Sequence, residues 1–217
     1  MTGTTPRTAP PARSMERAIA ALPDALTGLY FLSLWLFPLM FGPHAVRNGM
    51  LLMLVEFLLL HASIFLGNTA FSPGMPRAKK VRRMGGFAVL YGLFIGAWAL
   101  AFEAWWPLLA FAWLLAIKFS GVFGHDVDNA IRLQRLQNTW AIGTLAYVGG
   151  VLLTTLLWVP RLGITSDVQT QLGIPGNGLW VDHPQKVIAF GCLYFGTLAL
   201  TKWRGWRLPD TGKASRQ

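Results

Sequence analysis

The sequence predicts an all-α polytopic membrane protein, a bundle of six transmembrane helices with both termini cytoplasmic. Three observations carry this. The first is composition: of 217 residues, 53% are hydrophobic and only 13% charged, against about 25% charged in soluble domains. The second is length, because six apolar stretches approach the ~20 residues that cover a hydrocarbon core of ~30 Å. The third is the side on which lysine and arginine fall, which alternates from loop to loop.

Residues 1–20 are rich in Pro, Thr and Arg with no apolar face and predict a disordered cytoplasmic tail. The transmembrane domain is expected over 21–207. Its first helix, 25–40, starts at the helix-initiation signals Pro23 and Asp24, with Pro38 expected to kink its last turn. Long enough to anchor, this run begins well behind the basic residues and does not resemble a cleavable leader. The second helix is 48–67, NGMLLMLVEFLLLHASIFLG, and a basic loop at 68–83 follows it. Helices at 84–101 and 107–123 are joined by five residues and must form an antiparallel hairpin. A polar segment follows, with a short interfacial helix expected after Asp128. The fifth helix is 139–159, stopped by Pro160, and the sixth is 187–202, with a basic tail over 208–217.

Of the 19 lysines and arginines, sixteen fall on the side that holds both termini and three, Arg47, Arg161 and Lys186, on the other. That bias sets the orientation and a multi-pass cell membrane location, with a bacterial inner membrane favoured. Trp105, Trp106 and Trp158 fall at the outer boundary, and Trp140, Trp203 and Trp206 at the inner one. A net charge of +10 dispersed over alternate loops matches anionic lipid headgroups on the cytoplasmic side, not nucleic acid. The single cysteine, Cys192, allows no internal disulfide.

Lipid tails are as apolar as leucine, so membrane helices associate where small residues let backbones approach. Ala88, Gly92 and Gly96 make such a row on the third helix, and Ala112, Ala116 and Ser120 one on the fourth. The hairpin predicts that the two rows face each other. Ala146, Gly150 and Thr154 repeat the pattern on the fifth.

Glu56 stands near the middle of 48–67, too deep for its short side chain to reach water. It reads either as a protonated acid bonded to a neighbouring helix, through Ser33, Thr154 or Thr155, or as a proton- or cation-handling group. Lys118 lies within roughly 7 Å of it along the membrane normal; it is a partner, or it snorkels to the headgroups. His61 is five residues beyond Glu56 and turned ~140° from it, in keeping with a packed imidazole or a modulator of the acid.

His125, Asp126 and Asp128 group possible metal ligands at the inner surface, but Asp126 and Asp128 also complement a helix N-terminus. A bis-histidine haem anchor from His61 and His125 would span a depth difference of roughly 9 Å. No cofactor is therefore expected. The external segment 161–186, with a capping-box pattern at Ser166 and Gln169, reads as a lid, a docking surface or an ordinary connector. No hydrolase, zincin or nucleotide-binding motif is present. Two functional classes stay open. One is translocation of a proton, ion or small solute at Glu56, His61 and Lys118. The other is a non-catalytic membrane subunit or assembly factor, as a homo-oligomer or within a larger complex.

Overall fold

The computed structural model describes residues 11–122, 126–174 and 176–206. Every regular element among them is helical. They are α1 Pro11–Leu36, α2 Ala45–Ala70, α3 Arg77–Ala101, α4 Trp106–Val122, α5 Asp126–Leu156, the short α6 Ser166–Leu172 and α7 Leu179–Asp182, and α8 Pro184–Arg204. Four helices are long and apolar enough to cross a membrane: Ser14–Leu36 within α1, α2, α3, and Arg132–Leu156 within α5. Trp106–Phe119 is apolar but shorter.

The long helices overrun the predicted spans at their polar ends. Residues 11–20 are helical where a disordered tail was expected, and Pro23 lies inside α1 instead of starting it. A proline removes only one intrahelical bond, and Pro11 suits a first helical position. Arg17, laid against Gly205 beyond the end of α8, helps hold the extension. Pro38 lies past the end of α1, in the turn that leads to α2. The basic loop shrinks to the six residues between α2 and α3, with Arg77 to Arg83 already helical. The expected interfacial helix is the opening of α5, since no proline and only three glycines, Gly143, Gly149 and Gly150, fall between Asp126 and Leu156.

Contacts fix the helix directions. Phe31 stacks on Phe195 and Asp24 pairs with Lys202, so α1 and α8 run antiparallel. Gly28 lets α1 cross α8 closely, a methyl group there lying 3.3 Å from the Gly196 nitrogen. Phe65 meets Phe87 and Arg47 lies over Phe102, which makes α2 and α3 antiparallel. Tyr147 donates to the Met53 carbonyl, and α5 opposes α2 in the same way. Glu56 with Tyr194 sets α8 parallel to α2.

Two cores share α2. One joins Phe31, Leu34, Val46, Met53, Tyr147, Ile188, Phe190 and Tyr194, from α1, α2, α5 and α8. The other joins Leu66, Met84, Ile95 and Phe111 from α2, α3 and α4. The α3–α4 hairpin forms as predicted, but its seam differs. Tyr91 and Gly92 meet Phe111, whereas Gly96 has no atom within 4 Å of the position a methyl would take. Ala112 and Ala116 are exposed and Ala88 only half-buried. The aromatic Phe111, one position from the small-residue row, has taken the contact because a ring buries more surface than a methyl. The side chain of Ser120 lies outside the described residues.

Residues 157–174 and 176–183 fold over one end of the first core. Ile164 is fully buried, Trp35 donates to the Pro160 carbonyl at 2.9 Å, and Gly163 abuts the Leu36 carbonyl, where no larger residue fits. The helix expected at 166 forms, but its cap is Thr165, which accepts from the Val168 N–H. Gln169 serves elsewhere: its amide donates to the Asp182 carbonyl at 2.9 Å and ties α6 to α7.

Candidate functional site

Glu56 lies on the face of α2 that turns toward α8, seven residues beyond Gly49, where Ile188 and Leu34 close in. Tyr194 Oη donates to Glu56 Oε1 at 2.8 Å. The three partners expected from the sequence are engaged elsewhere. Ser33 and Thr154 turn their hydroxyls to carbonyls of their own helices, and the bond recorded at Thr155 is to its backbone carbonyl, which accepts from Lys186, while Glu56 pairs with Tyr194. Hydroxyls of this type in helices commonly turn back to the residue four before them.

An aromatic wall surrounds the pair. Tyr194 packs edge-on against Tyr147 at 5.4 Å and Phe195 at 4.9 Å, and Tyr147 meets Phe57 and Phe190. Tyr147 Oη donates to the Met53 carbonyl at 2.8 Å, so this second hydroxyl beside the acid has its own acceptor. Gly143 and Gly150 let α5 close in: a methyl at 143 would lie 2.9 Å from Leu60, and one at 150 2.7 Å from Phe190.

The charges that bear on Glu56 are Asp24 and Lys202. These two form an ion pair of 2.5 Å between α1 and α8, with Asp24 the more enclosed partner. A titratable pair toward the end of the bundle that holds the start of α1 thus lies within electrostatic reach of the half-buried acid. Lys118, expected to approach Glu56, is half-buried on α4, across α2 from this site, and is not among the charges near the acid.

His61 is on another flank of α2. Its Nδ1 donates to the Phe57 carbonyl at 2.8 Å, since a carbonyl can only accept, which leaves Nε2 uncommitted. Its ring lies 4.3 Å from Phe57 and edge-on to Trp140 at 6.5 Å. Trp140, expected at the inner membrane boundary, turns its ring toward His61. Its indole N–H and, one turn on along α5, the Thr144 hydroxyl are buried without a protein partner. His125 lies outside the described residues, as do the side chains of Asp126 and Asp128, which belong to the first turn of α5. Among the described residues, no three His, Cys, Asp or Glu side chains converge as metal ligands would.

Sequence reasoning isolated Glu56 but missed Tyr194, Asp24 and Lys202. A signal was available. Tyr194 falls about as far into the last helix as Glu56 does into the second, and Asp24 and Lys202 flank the apolar runs of the first and last long helices. No protein-family profile, no curated protein and no solved structure matches the chain.

Proposed function

We propose that this chain is a six-span membrane protein with both termini cytoplasmic, and that it handles a proton or small cation at Glu56. The observation that carries the reading is the grouping of Glu56 and Tyr194 with the Asp24–Lys202 pair. An acid deep among apolar helices, with a titratable pair nearer one surface, is the arrangement by which a proton or cation steps inward from that surface. In this reading Asp24 and Lys202 collect the ion at the cytoplasmic end and Glu56 holds it at mid-depth. Tyr194 orients the carboxyl group, and His61 with Trp140 and Thr144 lines the adjoining flank. The anionic headgroups of the cytoplasmic leaflet meet the basic ends of the helices.

One observation favours the alternative of a non-catalytic subunit: Glu56 is hydrogen-bonded inside a packed aromatic cluster, as a residue that only joins helices would be. Reconstituted liposomes with an internal pH dye separate the two. Wild type dissipates an imposed pH gradient or, with an alkali cation present, exchanges it for that cation. Glu56→Gln reaches the membrane at normal levels and is at least ten-fold slower. Equal flux from Glu56→Gln, or from protein-free liposomes, refutes the transport reading.

A further inference from the structure

The positive-inside bias accounts for sixteen of the 19 basic side chains and leaves three unexplained. Two of those three, Arg161 and Lys186, line one cavity of about 500 Å³ together with His183, Gln185, Trp158 and Val159. The cavity lies beside the N-terminus of α8, a 21-residue helix with no acidic residue in its first turn. A helix start is the positive end of its dipole and normally draws carboxylates, so a lysine there is electrostatically misplaced unless something negative joins it.

Lys186 has a partial explanation. Its ammonium donates at 2.8 Å to the Thr155 carbonyl, one of those left open where α5 ends. That uses one of three N–H bonds. Arg161, on the exposed rim, makes one long side-chain contact of 3.4 Å among the described residues, to Gln169, which leaves most of its fork for a ligand. Gln185 is the decisive residue. It is only 5% exposed, it lines the cavity, and its Oε1 is buried without a donor. A buried polar atom with no partner has given up its hydration for nothing, so a donor from outside the chain accounts for its place here. Trp158, 85% exposed at the mouth, supplies an apolar flank. Neither Asp167 nor Asp182 is among the lining residues.

We infer that this pocket binds a phosphate group that also carries a hydroxyl. The cations and the helix start take the phosphate oxygens, and the hydroxyl supplies the donor that Gln185 lacks. The same chemistry is offered by the headgroup of phosphatidylglycerol and by soluble phosphate, which has its own P–OH. The inference does not depend on the role of Glu56.

The test uses the full chain in phosphatidylcholine nanodiscs. One arm titrates inorganic phosphate by calorimetry; the other scores retention of phosphatidylglycerol by native mass spectrometry from mixed-lipid discs. Saturable binding is expected in at least one arm and is weakened ten-fold or more by Arg161→Gln and by Gln185→Leu. Asn68→Ala, at an exposed uncharged position near the end of α2 and outside the pocket, leaves it unchanged. Binding in the phosphate arm identifies a soluble ligand, and retention of phosphatidylglycerol alone identifies the headgroup. If Gln185→Leu does not fold, Arg161→Gln, whose side chain is exposed, decides the matter. No saturation in either arm, or equal binding by Arg161→Gln with an unchanged melting temperature, overturns the inference.

Discussion

At the bilayer centre a carboxylate costs roughly 2.5–3.5 kcal/mol on insertion scales, taking Glu as Asp. Glu56 recovers part of that through the Tyr194 hydroxyl, and interhelical hydrogen bonds in membranes are worth about 0.6–1.7 kcal/mol each. Tyr194→Phe therefore separates a joining role from a working one. The ring keeps its contacts with Tyr147 and Phe195, and only the donor is lost. Stability in detergent is expected to fall by about 1 kcal/mol, read from SDS-denaturation midpoints. Flux through liposomes should drop several-fold, because the carboxyl group is no longer held in one orientation. The same stability loss with full flux would assign Tyr194 to packing alone.

Between helices the decisive contacts are made where glycine admits an aromatic ring. A methyl at Gly191 would run into the Phe31 ring at the heart of the α1–α8 crossing, and both helices are fixed on other sides. Gly191→Ala is expected to destabilise by about 1–3 kcal/mol, the usual cost of overpacking. Gly96→Ala meets nothing and should stay within about 0.5 kcal/mol of wild type. Parallel thermal melts in one detergent check both; a large loss at Gly96 would restore the small-residue seam on α3. The contrast explains what the sequence made legible. Apolar length and turn residues marked every long helix, and the short link between α3 and α4 dictated their pairing. Which of two adjacent positions enters the seam, Phe111 or Ala112, depends on a rotation of the helix that a periodic pattern leaves open. The helix ends were missed for a related reason: α1 and α3 continue past the apolar stretch through Pro23 and through Gly85 and Gly86, because one proline or a glycine pair weakens a helix without ending it. Tyr194 stayed hidden because a tyrosine within an apolar run reads as packing until a carboxyl group is placed beside it.

For the molecule as a whole, the question is how many helices cross the bilayer, and two stand outside the four that meet both criteria, α4 by its length and α8 by its composition. At 17 residues α4 is about 25 Å long, short of a ~30 Å core, and a local thinning of the bilayer accommodates such a mismatch. Twenty-one residues make α8 long enough, but it carries Gln185, Lys186, Thr197 and Lys202. Those residues are tolerable because α8 packs among α1, α2 and α5, so that protein more than lipid covers it. Antiparallel contacts make the six long helices alternate in direction, and Arg17 against Gly205 brings the two ends of the bundle's chain to one side. A testable consequence concerns α3. Positions 79 and 104 are separated by 25 residues of nearly continuous helix, about 37 Å, more than the hydrocarbon thickness. In a chain with Cys192 replaced by Ser, Lys79→Cys is expected to react with a membrane-impermeant maleimide only from the cytoplasmic side. Ala104→Cys should react only from outside. Labelling of both from one side would remove the α3 crossing, invert the order of every later helix, and leave Arg161 and Lys186 facing the cytoplasm.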